Sequence, residues 1–211
     1  MIKSYICLVS IVLFIISMIV GRYIYSFEKK EKYNYLTMFP YEIKPKAYGL
    51  LITFRGLLAL WLGVCSISSI YIFFINQYLL IEKVLTLVIV INAFLILSLF
   101  VVDMKNYRLH QTLSIFVSIF NIFMYFLLGY LGIRFAFTKF PLALTIISFI
   151  IALILIIILL LPSLKNWYVL KRDEEGNLTR GKIFPLAVFE WINIISFVLF
   201  YLIIGITFLI I

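Results

Sequence analysis

Two charged residues lie inside long apolar stretches of the sequence. Arg55 lies in LLITFRGLLALW at 50–61, and Glu190 lies in PLAVFEWINIISF at 185–197. A charge near the centre of a membrane helix costs about 2.5–3.5 kcal/mol, so it normally has a partner or a wet cavity. At ~1.5 Å per residue, both charges lie roughly 8–12 Å into their stretches. We expect Arg55 and Glu190 to pair; the alternative is that the Arg55 side chain extends to the nearby membrane surface.

A polar stripe follows one face of another apolar stretch, at 109–132. Its members are His110, Ser114, Ser118, Asn121 and Tyr125. Their spacing places them on one side of a helix. Asn193 falls on the same helical face as Glu190, by the same periodicity.

The stripe and the two charges together predict a polar pocket within one leaflet. Its predicted lining is Arg55, Glu190, His110, Asn193, Ser114 and Asn121. An arginine beside hydrogen-bonding groups suits a lipid headgroup, because guanidinium binds phosphate through two parallel hydrogen bonds. The alternative is that these polar side chains only join helices by hydrogen bonds.

The stretch that contains Arg55 also carries a face of small residues. They are Gly49, Thr53, Gly56, Ala59 and Gly63. Small residues let two helices approach closely. We expect this face to pack against a neighbouring span, so that the second, fourth and sixth spans meet at the pocket.

Other kinds of site find little support in the sequence. The chain has one histidine and two cysteines, Cys7 and Cys65, without the spacing of a metal site. No phosphate-binding glycine loop and no nucleophile elbow is present. His110 and Glu190 could form an acid–base pair, but no activated nucleophile accompanies them. The sequence therefore predicts neither a metal nor a cofactor, and catalysis is disfavoured.

The positioning elements are membrane helices. The chain has 211 residues, of which 65% are hydrophobic and only 13% are charged, and a soluble domain is nearer half apolar and a quarter charged. Six stretches are long enough to cross a ~30 Å hydrocarbon core: 4–27, 47–75, 79–102, 109–132, 141–161 and 185–211. We predict an all-α, polytopic integral membrane protein, a six-helix bundle that forms a single membrane domain over 1–211.

Two polar loops, 28–46 and 163–184, lie on the same side of this layout. Of the 18 basic residues, 13 belong to that side, and the net charge is +9. Beside apolar spans, such charge indicates anionic lipid headgroups rather than nucleic acid. The bias also favours cytoplasmic loops and external termini. Trp191 and Tyr41 are predicted interface anchors.

Three short motifs resemble a known family. The first loop contains FPY at 39–41, His110 opens the fourth span, and EW at 190–191 lies near the start of the sixth. With the six-span layout, they resemble the family that groups the Golgi GPI-anchor-remodelling protein with the damage-regulated autophagy modulators. The chain departs from that family at EIK, 42–44, where members have a Ser-Asp-Gly-like turn. The resemblance implies a function in lipid remodelling or organisation, and cytosolic termini.

We therefore expect a protein that binds, remodels or organises membrane lipids through the polar pocket. One alternative is an accessory subunit that binds a protein partner through its two basic loops. Another is a small-solute permease, although all five prolines lie at or outside span ends and permeases favour interrupted spans. Richness in Ile, Lys, Phe and Asn suggests an AT-rich genome and a prokaryotic cell membrane.

Overall fold

The fold is described by a computed structural model of the chain. It describes residues 2–43, 47–74, 80–102, 106–135, 142–161 and 183–210. Most of the second polar loop, 163–184, lies outside the described residues, as does Pro141, predicted to open the fifth span.

Six long helices account for most of the described residues. They are α1 (Ile2–Lys29), α2 (Tyr48–Ser69), α3 (Leu80–Leu99), α4 (Tyr107–Phe135), α5 (Leu142–Leu160) and α6 (Pro185–Ile210). A π-helical turn, Ile70–Phe74, continues α2, and a short 3-10 helix, Pro40–Glu42, lies in the first loop. All six helices are long and apolar enough to cross a membrane. The predicted all-helical fold with six long apolar helices is confirmed, and the described ranges contain no strand.

Local sequence explains where two of these helices start or stop. Pro185 is the first residue of α6, where its missing N–H costs nothing and its fixed φ suits the first turn. Helix α1 ends at Lys29, and Lys30 follows with a left-handed φ of 56°. The Lys30 N–H still donates to the Ser26 carbonyl, which satisfies one terminal acceptor of α1.

The helices form an arc around α6. Each of α1 to α5 packs against the next in sequence, and α6 packs against α1, α4 and α5. Side chains of α2 reach α6 as well, since the Trp61 and Phe197 rings lie 6.0 Å apart. Of the six spans, α6 has the largest buried share. Polar residues on α6 therefore face other helices rather than lipid.

The bundle has two ends, which we name by the first loop. The loop-1 end is the one where residues 30–43 lie and where α2, α4 and α6 begin; the far end is the one where α1, α3 and α5 begin. Loop 1 is joined to the entry of α6, because the Phe184 N–H donates to the Leu36 carbonyl at 2.8 Å. This contact brings the first loop over the start of the sixth helix.

The expected use of the small-residue face of α2 is wrong. A Cβ added at Gly49, Gly56 or Gly63 would meet no atom within 4 Å. Helix α2 packs against α1 and α3 through other residues, among them the buried Phe54 and Leu58. The small-residue face thus points away from the bundle interior.

Candidate functional site

A histidine–glutamate pair is buried at the loop-1 end. His110, in the first turn of α4, places Nε2 2.8 Å from Glu190 Oε1 of α6, and both side chains are fully buried. The two atoms are at ion-pair distance, although they do not meet along the axis of a linear hydrogen bond. His110 Nδ1 lies 2.8 Å from the Val102 carbonyl oxygen. That oxygen can only accept, so Nδ1 carries a proton.

Ser114 completes the polar contacts of Glu190. Its hydroxyl donates to Glu190 Oε1 at 2.6 Å, a length typical of a hydroxyl bound to an ionised carboxylate. A second proton on His110 Nε2, the nitrogen that faces Glu190 Oε1, would complete an ion pair with the carboxylate. Ser114 bonds to the glutamate rather than to a histidine nitrogen, so it is not arranged as an activated nucleophile.

One oxygen of this cluster stays unused. Among the residues that the structure describes, Glu190 Oε2 has no hydrogen-bond partner, although Glu190 is fully buried. Buried polar atoms nearly always have a partner, and exceptions often mark a site for water or ligand. Glu190 Oε2 is therefore the atom of the pair that is available to accept a hydrogen bond.

The first loop covers the pair with two aromatic rings. We call residues 39–41 the aromatic cap. The Phe39 ring lies 5.8 Å and the Tyr41 ring 5.1 Å from the His110 ring, both edge-on. The Phe39 N–H donates to Glu42 Oε2 at 2.7 Å, which stabilises the turn of the cap. The two rings thereby help to bury His110, whose side chain is fully buried.

Two aromatic donors hold the cap in place. The Tyr33 hydroxyl donates to the Phe39 carbonyl at 2.6 Å, and Trp191 Nε1 donates to the Met38 carbonyl at 2.9 Å. Burial, with a smaller contribution from the negative Glu42, raises the pKa of Tyr33, so the hydroxyl remains a donor. Trp191, predicted as an interface anchor, is buried against the first loop.

A layer of asparagines lies deeper in the bundle. Asn121 donates to the Asn193 carbonyl at 2.8 Å and accepts from Asn92 Nδ2 at 2.7 Å, and it thereby links α4 to α6 and α3. Tyr125 donates to the Ser196 carbonyl at 2.6 Å. These bonds join helices in the way that was the alternative interpretation of the polar stripe. Asn92 was not among the predicted residues, although an asparagine in the middle of an apolar span is itself a signal.

The expected Arg55–Glu190 pair is wrong. Glu190 pairs with His110, and no ion pair joins Arg55 to any carboxylate of the described residues. Arg55 is half-buried on α2, whereas the other five predicted pocket residues are buried along α4 and α6. Arg55 and Glu190 lie at similar distances from the starts of their helices, but their side chains do not meet in the bundle.

The described residues contain no cluster of side chains that could serve as the ligands of a metal ion. No group of three or more His, Cys, Asp or Glu side chains in them is arranged to hold a metal ion. Cys7 and Cys65 are both free and buried. The polar cluster is thus built from one imidazole, one carboxylate, hydroxyls and amides.

Comparisons of this chain with protein-family models, with curated proteins and with solved structures found no match. The family resemblance stays a prediction.

Proposed function

We propose that this protein binds and organises membrane lipids through the His110–Glu190 site. One observation carries the proposal: segments far apart in sequence, FPY at 39–41, His110 and EW at 190–191, meet at one buried site. These are the same three motifs that resemble the lipid-related family. A resemblance by chance gives no reason for its motifs to be in contact.

The depth of the site supports a headgroup ligand. Glu190 lies five residues into α6, about 8 Å along the helix at ~1.5 Å per residue. In a hydrocarbon core of ~30 Å, this is the outer part of one leaflet, near the glycerol and headgroup level. A headgroup that displaces the aromatic cap reaches Glu190 without entering the middle of the membrane.

The chemistry of the free oxygen selects the headgroup. Glu190 Oε2 offers a hydrogen-bond acceptor on a fully buried carboxylate, and the ring of its neighbour His110 lies against Phe39 and Tyr41. In such surroundings a charge-assisted hydrogen bond is stronger than in water. Ammonium or hydroxyl headgroups can donate to this oxygen, whereas the quaternary ammonium of choline cannot. We therefore propose a lipid with a hydrogen-bond-donating headgroup, in place of the phosphate contact to Arg55.

The test compares two headgroups that differ in donor capacity. The full chain is equilibrated with vesicles of equimolar phosphatidylethanolamine and phosphatidylcholine, and the retained lipids are counted by native mass spectrometry. We expect the wild type to prefer phosphatidylethanolamine and Glu190→Gln to lose about 10- to 100-fold of that preference, since a hydrogen bond to a charged group contributes about 1.5–3 kcal/mol.

The matched control is Thr207→Val in the same helix. Thr207 is buried, and its hydroxyl bonds only to the Ile203 carbonyl of α6. This variant should keep the wild-type preference. Equal retention of the two lipids by the wild type, or an unchanged preference in Glu190→Gln, contradicts the proposal.

A further inference from the structure

An apolar furrow runs along the outer side of the bundle between α2 and α3. Its volume is about 390 Å³, and its walls include Ala59, Gly63 and Ile67 of α2 and Val90, Ala93 and Phe94 of α3. A second cavity of about 240 Å³ shares Ile70 and Val90 with it and continues to Phe74 and Lys83. The two cavities form one continuous furrow towards the far end of the bundle.

Small side chains leave this space open. A Cβ added at Gly63 would meet no atom within 4 Å. The polar side chains along the furrow are already bonded, because Ser66 donates to the Leu62 carbonyl at 2.9 Å and Thr86 to the Glu82 carbonyl at 3.0 Å. Apart from Lys83 at its end, the described walls of the furrow present hydrocarbon and hydroxyls that are already bonded, which suits an apolar chain better than a polar partner.

The length of the furrow corresponds to an acyl chain. From Ala59 to Phe74 the segment covers 16 residues, and the 15 steps between them give about 22 Å at ~1.5 Å per residue. Half of a ~30 Å hydrocarbon core is about 15 Å. The furrow is therefore long enough to span one leaflet and to extend past the midplane of the bilayer.

Among the described residues that line the furrow, one is a cation, Lys83, at the far end. Lys83 is exposed, and its Nζ lies 5.7 Å from the centre of the Phe74 ring. No described carboxylate lies within salt-bridge distance of Lys83. A lysine in the first turn of a membrane helix lies at headgroup level, where it attracts anionic lipid.

We propose that the α2–α3 furrow is a binding site for an anionic phospholipid, with one acyl chain along Ala59 to Phe74 and the phosphate at Lys83. The apolar walls, the length and the terminal cation each match one part of such a lipid. This site lies at the opposite end from the His110–Glu190 pair and does not depend on it. It would hold a lipid of the other leaflet.

The experiment uses the full chain in vesicles of equimolar phosphatidylglycerol and phosphatidylcholine, followed by native mass spectrometry. Lys83→Gln removes the cation and should reduce retained phosphatidylglycerol about fivefold, the factor for roughly 1 kcal/mol per lysine near a membrane surface. Gly63→Leu fills the furrow and should abolish specific retention of the lipid.

Each variant has a matched control. Lys3→Gln removes another lysine at the far end, whose Nζ lies 5.0 Å from the Phe208 ring centre, and Gly56→Leu adds the same side chain to α2 outside the furrow. Both should retain phosphatidylglycerol as the wild type does, and so should Glu190→Gln, which separates this site from the proposed headgroup site.

Two results would overturn the proposal. One is unchanged retention of phosphatidylglycerol in Lys83→Gln or in Gly63→Leu. The other is a wild-type dimer without bound lipid that Gly63→Leu converts to a monomer, because a second copy of the chain would then occupy the furrow.

Discussion

The interior of the loop-1 end and the α2–α3 furrow differ in where their polar side chains lie and what they bond to. At the loop-1 end, an imidazole, a carboxylate and a hydroxyl are fully buried and bonded to one another beneath the aromatic cap. Along the furrow, hydroxyls turn back to their own helix, and Lys83 is the one charged residue among its described lining residues. Because α6 and the first loop reach the former but not the latter, described residues cover the polar groups in one region and leave apolar walls uncovered in the other.

The largest effect should come from breaking the buried pair. Among the described residues, His110→Leu leaves the Glu190 carboxylate with Ser114 alone as a partner. Removing one member of a buried ion pair costs about 3–5 kcal/mol, because the remaining charge is uncompensated. Reversible unfolding in detergent, followed by circular dichroism, should show a loss of that size.

A double variant checks whether charge is the cause. His110→Leu combined with Glu190→Gln removes both charges, and the pair of changes should cost less than the sum of the two single changes. Ser148→Ala is the control, since the Ser148 hydroxyl bonds only to the Leu144 carbonyl of its own helix. A double variant whose loss equals the sum would show that the pair is not coupled.

A second comparison is between alanine substitutions at two glycines, Gly21 in the interior of the bundle and Gly56 on its outer surface. A Cβ on Gly21 of α1 would lie 2.5 Å from the Phe54 ring and 2.8 Å from Ile43 Cγ2, whereas one on Gly56 meets nothing within 4 Å. Gly21→Ala should therefore destabilise the protein by about 1–3 kcal/mol through overpacking. Gly56→Ala should be neutral, or stabilising by up to about 1 kcal/mol through helix propensity. Equal unfolding free energies for the two variants would mean that α1 and α2 are not in close contact at Gly21.

Hydropathy predicted the six long apolar helices well, because length and apolar content decide whether a helix can cross a membrane. The stripe from His110 to Tyr125 was also predicted, since helical periodicity places these residues on one face whatever the neighbours are. What periodicity does not give is the rotation of one helix against another.

The misplaced arginine illustrates this limit. Phe54 is buried against α1, and Arg55, the next residue, lies about 100° further round the helix. Arg55 and Glu190 matched in depth, but depth says nothing about direction. The partner of Glu190 came instead from α4, and the cap that covers His110 came from the first loop, whose path no periodicity describes.

The smallest effect should come from Arg55 itself. Arg55 is half-buried and has no described carboxylate within ion-pair distance, so Arg55→Ala should change the unfolding free energy by no more than about 0.5 kcal/mol. A cycle with Glu190→Gln should be additive within about 0.3–0.5 kcal/mol, because the two residues share no partner. The Arg55–Glu190 pair expected from the sequence would instead make the effects of the two substitutions non-additive. A coupling energy above about 1 kcal/mol would restore the Arg55–Glu190 pair and would mean that α2 rotates to bring Arg55 into the site.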